Sequence, residues 1–380
     1  MSGDSAFCSL PGVVFYGPVG IMSGLGSASR GYLAALRAAA IPTSVVPVHE
    51  LFIHQPSIGK IAAPRGPSGP VAIVHVNPGA TPRFLHYQGK AFARASYKIG
   101  LWVWELPAFR DEWFEELGLF DEFWVPSTFV MRAVEAVTAK PVTLAPHVVP
   151  LQTARRDDWR GRFGLAEDGF VFLYIFDASS VVERKNPQCL VDAFEAVFSP
   201  KDNVRLVLKV LHPEQAADFS SYLGALVARN PNVTVLRENL SADELAGLVA
   251  ACDCYVSPHR SEGFGLTVAE AMASGKSVIA TPYGGVADFL TEDVGYPLQY
   301  KLTEVGSDFG PYAKGAIWAD PSREHLGQLL REVVADRVGA ALKAERARNL
   351  MRERYSAAAV GRRLGERLTA IAESQRAQAR

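Results

Sequence analysis

The sequence predicts an α/β protein built as two parallel-sheet domains, and three observations carry that reading. Apolar runs of strand length alternate with helix-period segments along the chain, the pattern of crossover connections between parallel strands. The length, 380 residues, is enough for two cores. The stretch from Pro150 to Trp159 is polar and without a clear period, and it reads as a linker between two sets of elements.

In the first half the strand-like runs are Val13–Tyr16, Ser44–Val48, Val71–Val76, Ile99–Val103 and Glu122–Val125. Pro47 weakens the second of these, because proline has no N–H to give a ladder. The second half offers Val171–Ile175, Val204–Lys209, Val233–Leu236, Cys254–Val256 and Val278–Ala280. Helices are expected between them, among others at Ala28–Ala39, Pro187–Phe198, Ala242–Cys252 and Leu266–Ser274, the last ended by Gly275. The segment from Ala341 to Arg380 is helical in pattern and rich in arginine and alanine.

Composition excludes several function classes. Hydrophobic content of 48% and charge of 21% describe an ordinary globular protein. A net charge of −1 argues against a nucleic-acid binder. No apolar run has membrane-spanning length, and the N-terminus lacks the charged-then-apolar pattern of a leader. Four cysteines do not make a disulfide framework in a chain this long. Cys252 and Cys254 alternate along a buried strand as small core residues, and no second Cys/His cluster completes a zinc site. The expected location is the cytoplasm. The basic C-terminal helix reads as a solvated face, with peripheral contact at the inner face of the membrane as the alternative.

The chemistry concentrates in Ser257-Pro258-His259-Arg260-Ser261-Glu262-Gly263-Phe264-Gly265-Leu266, which runs from a strand into a helix carrying Glu270. Two carboxylates thus stand eight residues apart across a glycine-containing loop. Gly263 and Gly265 lack a Cβ, so backbone can approach a ligand there. The N–H groups opening the helix are unsatisfied donors, suited to anions and hydroxyls. Ionised carboxylates only accept, so Glu262 and Glu270 can each take hydroxyl donors from a polyol. A nucleotide sugar presents two such diols. Acidic residues near helix starts also occur simply because they complement the helix dipole.

The series Glu262-Gly263-Phe264-Gly265-Leu266 through Glu270-Ala271-Met272-Ala273-Ser274-Gly275-Lys276 resembles the donor-site signature of the retaining GT-B glycosyltransferases of the group 1, or family four, type. The resemblance runs from about Val13 to Leu368. It implies the GT-B architecture, two Rossmann-like domains facing across a cleft: residues 1–150 as the acceptor domain, 151–355 as the nucleotide-sugar donor domain, and 356–380 as a helix crossing back to the first. It implies that Glu262 contacts sugar hydroxyls and that Glu270 holds the ribose, with backbone from Gly263, Phe264, Gly265 and Leu266 lining the donor.

Phe176-Asp177-Ala178-Ser179-Ser180-Val181-Val182-Glu183-Arg184-Lys185 resembles the family's phosphate loop, with Lys185 in place of its lysine. The usual upstream arginine is absent, which leaves Arg184, Ser179 and Ser180 as replacements. No Asp-x-Asp loop for a divalent cation stands between strand and loop, so no metal or other cofactor is expected. Gly20 to Gly31, with Gly24 and Gly26, resembles the family's glycine-rich loop. A dinucleotide fingerprint fits it less well, because Gly24 comes too late after Tyr16 and Ser29 replaces the third glycine. Tyr283-Gly284-Gly285 looks like the family's second glycine turn, and the nucleobase is expected near Leu236 to Leu240.

Ile99-Gly100-Leu101-Trp102-Val103-Trp104-Glu105-Leu106 and Trp124-Val125-Pro126-Ser127 resemble a bacterial polysaccharide branch with W-x-W-E-L and W-x-P-S signatures. Glu105 is a candidate to hydrogen-bond the sugar or the attacking hydroxyl, and Trp104 a candidate to stack on a sugar face. A core tryptophan and a buried structural glutamate fit equally well. His75, Asn77 and His147 are weaker candidates, while His259 and Arg260 shape the Glu262 loop.

The expected function is retaining transfer of a hexose, by the branch resemblance mannose, from a nucleotide-diphosphate sugar to a glycan or lipid-linked acceptor in polysaccharide biosynthesis. Catalytic candidates are Glu262, Lys185 and Glu105. The rivals are a sugar phosphorylase or nucleotide-sugar epimerase of the same fold, and a non-catalytic sugar-binding subunit. The acceptor would be set by loops such as Phe52 to Pro70, which carry no readable code.

Overall fold

The computed structural model describes residues 11–52, 57, 69–151 and 158–378. Two compact units emerge, one of Met1–Trp104, Phe109–Val148 and Arg354–Arg380, the other of Glu105–Ala108 and Val149–Glu353. The short segment holding Glu105 therefore clusters with the second unit, although it lies in the first half of the chain. The expected linker falls largely outside the described residues, at 152–157, and so does most of the Phe52 to Pro70 loop, at 53–56 and 58–68.

The first unit contains β1 (Val13–Gly17), β2 (Thr43–Pro47), β3 (Val71–Val74), β4 (Tyr97–Leu101), β5 (Glu122–Val125) and β6 (Val142–Leu144). They pair in the order β2-β1-β3-β4-β5-β6, all parallel. Pro47 ends β2 at the sheet edge, where its missing N–H costs no ladder bond. Three half-buried residues make up β6, too short to show an alternation in sequence. The helix after β1 spans Gly24–Ala38 and starts ahead of the expected Ala28, because Ser23 caps it by accepting from the Gly26 N–H at 3.2 Å.

The C-terminal helix Ala357–Gln378 packs on the Gly24–Ala38 helix. Val360, Leu364, Leu368 and Ile371 enter the core that holds Phe15, Tyr32 and Leu36. Backbones touch there: a Cβ on Gly361 would lie 2.4 Å from the Ala35 carbonyl oxygen.

The second unit contains β7 (Phe170–Asp177), β8 (Val204–Leu211), β9 (Val233–Leu236), β10 (Cys254–Ser257), β11 (Ser277–Ala280) and β12 (Tyr296–Pro297). Their order is β12-β11-β10-β7-β8-β9. The chain steps outward from β7 to β9, then returns to the other side of β7 as β10. The carboxyl ends of β7 and β10 therefore flank a topological switch point, the place where open α/β sheets bind ligands. β10 and β11 are buried along their whole length, and β7 all but its last residue, as parallel strands covered by helices on both faces must be. Cys252 and Cys254 are core residues here, 2% and 0% exposed.

An antiparallel hairpin, β13 (Tyr300–Glu304) with β14 (Ile317–Pro321), stands outside this sheet. Its first strand is mostly exposed, so no apolar period announces it. Among the described residues, no helix is long and apolar enough to cross a membrane.

Candidate active site

Two loops leave the switch point of the second unit. The loop after β10 reaches the Leu266–Ala273 helix through Gly265, whose φ of +86° is a left-handed conformation that favours glycine. Gly275 ends the helix with φ +71°, its N–H bonded to Met272 O at 3.0 Å and the Lys276 N–H to Ala271 O at 3.1 Å, a Schellman closure. The Tyr283-Gly284-Gly285 turn lies backbone-to-backbone against this loop. The Gly285 N–H donates to Glu262 O at 2.8 Å, and a Cβ on Gly284 would stand 2.1 Å from that same oxygen. The expected second glycine turn thus fixes the main chain that carries Glu262.

The loop after β7 makes a short turn, Ala178–Ser180, and a single helical turn, Val182–Lys185. Val181 before it and Asn186 after it both have positive φ, 64° and 54°. Asn tolerates that region; a β-branched valine there is strained. Three bonds hold the turn in place: Tyr174 Oη to Lys185 O at 2.6 Å, Arg260 N to Arg184 O at 2.7 Å, and Asn186 Nδ2 to Pro258 O at 3.1 Å. The two switch-point loops are therefore stitched to each other.

That stitching brings the charged candidates together. Lys185 Nζ lies 2.5 Å from Glu262 Oε1, and Arg184 Nη1 lies 3.2 Å from the same oxygen. Arg184 also donates to Ser261 O at 2.8 Å, and only 3% of the residue is exposed. Its role is internal, not that of a surface pair. Glu105 joins from its own segment: its carbonyl accepts from the Ser261 hydroxyl. Lys185, Arg184 and Glu262 so meet at one half-buried locus, with the Glu105 main chain bonded to the same loop at Ser261.

The electrostatics follow from that composition. Burial works to raise the Glu262 carboxyl, but Lys185 and Arg184 overcome it and hold it at about 2. Burial raises Glu105 above the usual carboxylate range, with the Glu262 charge adding to it and Arg184 and Lys185 opposing. Burial and the neighbouring Arg184 lower the Lys185 ammonium. Glu262 is thus the fixed anion of the set and Glu105 the carboxyl nearer neutrality.

The other candidates fall elsewhere. Glu270 sits half-buried on the Leu266–Ala273 helix. The Phe264 ring is buried against Phe289, 5.6 Å between centroids, which leaves backbone as its means of meeting a ligand. The Ser179 hydroxyl is committed to Asp177 Oδ1 at 2.7 Å, and Ser179 borders a cavity of about 1240 Å³ whose lining includes neither Lys185 nor Glu262. Ser180 closes the same turn. The structure thus places Ser179 outside the cluster that Arg184 joins. Gly24 and Gly26 open a helix of the first unit, and Gly26 has a local reason to be glycine, since a Cβ there would lie 2.1 Å from Ile21 O.

Trp104 is a core residue: it meets Trp113 edge-on at 4.7 Å and is 4% exposed, so stacking on a sugar is overturned. His75 and His147 are buried, bonded to Ser29 Oγ at 2.7 Å and Tyr32 Oη at 3.0 Å. Asn77 accepts from the Val103 N–H. His259, bonded to Ser257 Oγ, is fully buried and shapes its loop. Tyr312 was not foreseen, because it lies in an unpatterned hairpin loop with no motif around it. Among the described residues, no group of three or more His, Cys, Asp or Glu side chains could hold a metal ion.

Comparison with known proteins identifies part of the chain. Residues 171–301 match the family described as Glycosyl transferases group 1. This stretch is a group 1 glycosyltransferase domain. It contains β7 to β12 and both switch-point loops. The chain is 25% identical over 260 residues to the lipopolysaccharide 1,2-N-acetylglucosaminetransferase of Salmonella typhimurium, covering 64% of this chain and 61% of that protein. It is 33% identical over 143 residues to a D-inositol 3-phosphate glycosyltransferase of Nocardioides, covering 34% and 31%. The matches thus span about three fifths or less of these relatives. Among solved structures, the Anabaena HepE protein in complex with UDP and glucose has a TM-score of 0.68 at 16% identity, over 95% of this chain and 100% of that one. The sucrose-phosphate synthase of Thermosynechococcus elongatus has a TM-score of 0.70 at 16% identity, over 95% and 99%. The fold of this glycosyltransferase-domain protein is GT-B.

Proposed function

We propose that the protein transfers a hexose, with retention, from a nucleotide-diphosphate sugar to a glycan or lipid-linked acceptor. The observation that carries this is the meeting of Lys185, Arg184 and Glu262 at the switch point of the glycosyltransferase domain. Bond cleavage at the anomeric carbon builds negative charge on the leaving diphosphate, and preoriented cations stabilise it where it develops. Lys185, with the amides opening the Leu266–Ala273 helix, supplies that charge without a metal or other cofactor. Glu262 accepts from the sugar hydroxyls and Glu270 from the ribose. Glu105 hydrogen-bonds the sugar or the attacking hydroxyl. No side chain is assigned as a covalent nucleophile; the leaving phosphate takes the acceptor's proton on the same face of the sugar. The location proposed is cytoplasmic, with peripheral membrane contact through the basic C-terminal helix as the alternative.

The test is a thermal-shift panel of UDP-, GDP-, ADP- and dTDP-sugars, with and without magnesium. A ligand that binds only the native state raises the melting temperature by mass action. Solved neighbours complexed with UDP and with UDP-glucose make the uridine donors the first to try. Mannose from a GDP donor rests on the branch resemblance. Stabilisation by one nucleotide class without metal supports the reading and names the base. A flat panel argues against a donor site.

A further inference from the structure

The Val182–Lys185 turn carries the cation of the proposed reaction, yet four residues are too few to hold a helical turn by their own bonds. Its carbonyls show what does hold it. Val182 O accepts from the Asn186 N–H at 2.7 Å, which closes the turn on itself. Lys185 O accepts from Tyr174 Oη at 2.6 Å. The remaining two carbonyls go to one residue: the Arg260 N–H donates to Arg184 O at 2.7 Å, and Arg260 Nη1 donates to Glu183 O at 2.8 Å. Arg260 is in turn held by the β13–β14 hairpin. The Ala319 N–H donates to Arg260 O at 2.9 Å, Arg260 Nη2 donates to Asp320 Oδ1 at 3.3 Å, and the guanidinium lies over the Trp318 ring, 5.4 Å from its centroid. Phe309 stacks on Trp318, centroids 6.0 Å apart. The hairpin loop also brings the Tyr312 ring over Arg184, whose guanidinium carbon lies 5.6 Å from the ring centroid.

We propose that Arg260 is a positioning residue for Lys185: it holds the turn that aims the ammonium, and it takes its own direction from the hairpin. The role rests on the reading that Lys185 stabilises the charge developing on the leaving diphosphate. Arg260 stands two residues before Glu262 in the same loop, and Lys185 Nζ lies 2.5 Å from Glu262 Oε1. One residue thus sets the spacing between the loop after β7 and the loop after β10. The turn has reason to move if released, because Val181 at its start is a β-branched residue held at a φ of 64°. Any residue at position 260 keeps the main-chain bond to Arg184 O; the guanidinium is what arginine adds. Its planar fork serves Glu183 O through Nη1 and Asp320 through Nη2 while its face rests on Trp318. A lysine ammonium has neither the fork nor the face. Arg260 so acts on the reaction through Lys185, without touching the reacting atoms.

Arg260→Met tests it, because it keeps an unbranched stem beside Trp318 and removes the guanidinium donors alone. Hydrogen–deuterium exchange of the full chain, read by mass spectrometry without ligand, follows the turn directly. Peptides over residues 181–186 are expected to exchange about fivefold faster than in wild type, as loss of one hydrogen bond requires, with β7 and β10 unchanged. Arg260→Lys should recover part of that protection. Asp320→Ala keeps every Arg260 donor but removes the carboxylate that directs them, and should speed exchange of the same peptides. In parallel, UDP release from UDP-glucose falls about tenfold in kcat in Arg260→Met, with KM within about twofold. On a Lys185→Ala background the same substitution should change kcat by less than about twofold, since a residue acting through another does not add to its loss. Wild-type exchange over residues 181–186 in Arg260→Met overturns the proposal. So does faster exchange spread through the whole unit, or a kcat loss that adds to that of Lys185→Ala. Where Arg260→Met fails to fold, Asp320→Ala decides by the same peptides. The exchange needs no turnover, so a failure of the glycosyl-transfer reading shows as no UDP release by the wild type and leaves exchange to judge Arg260.

Discussion

Arg367 and Glu122, 245 residues apart, form a two-pronged ion pair: Nε donates to Oε1 at 2.8 Å and Nη2 to Oε2 at 2.7 Å. Glu122 is fully buried, and Trp124 Nε1, Thr143 Oγ1 and Tyr97 Oη also donate to it, at 2.9, 2.6 and 2.9 Å. Burial works to raise this carboxyl, but Arg367 and the hydroxyl donors hold it below the usual carboxylate range. The C-terminal helix is thereby fastened to the sheet of the first unit by a charge that cannot be buried unpaired.

Arg367→Ala is expected to lower stability by about 2 kcal/mol, because three neutral donors remain while the charged partner is lost. Urea unfolding measures it. An unchanged midpoint would show that the pair only decorates a helix held by its apolar face.

Lys185→Ala is expected to lower kcat on the order of 10²-fold, as for other preoriented groups acting on developing charge. Binding of the donor should weaken far less, since the role is exercised at the transition state. Single-turnover kinetics read both, and turnover equal to wild type sinks the assignment. Glu270→Ala should do the reverse, mainly weakening the nucleotide; wild-type affinity by calorimetry would refute the ribose contact.

Gly284→Ala is expected to cost more than about 1 kcal/mol, since its φ of +73° strains any Cβ. The new methyl would also stand 2.1 Å from Glu262 O and displace the main chain behind the Glu262 carboxylate. Thermal unfolding and the donor-induced shift should both fall. A variant that retains the full donor shift would show that the turn does not set the position of Glu262.

Acid should destabilise the protein in two overlapping windows. Burial lowers His259 to about 4 and His147 to about 3. Each is neutral in the fold and protonated on unfolding, so stability is full above the unfolded value near 6.5 and is lost as pH falls toward the folded values. Each contributes about 3 kcal/mol or more over its full window. Glu262, held at about 2, acts in the same direction below the ordinary carboxylate range. Melting temperature against pH checks this, and His259→Gln should flatten the slope between pH 6.5 and 4.5. An identical slope would remove His259 from the account.

The presence of most parallel strands and of the glycine-bounded helix after β10 could be read from the sequence, because both rest on local chemistry. Strand length and β-branched content marked β7 to β11, and Gly275 stopped its helix as its missing Cβ allows. Glu262 stood out by its glycine-containing loop running into a helix, whereas Lys185 was nameable only through the resemblance of its loop to the family's phosphate loop. What the sequence left open is what depends on contacts between distant segments. Ser179 and Arg184 were equal candidates on paper. Only the packing of two loops 77 residues apart decided that Arg184 turns to Ser261 while Ser179 turns to Asp177. Trp104 and Glu105 are neighbours in the chain, yet one enters an aromatic core and the other a charged cluster, because adjacent side chains leave an irregular backbone in different directions. Tyr312 had no periodic signal at all, and its place follows from a hairpin anchored on Arg260 and Trp318. Local chemistry determined which elements form and which residue types can act. Tertiary packing decided which of them meet, since burial and partner charge exist only once the chain has folded.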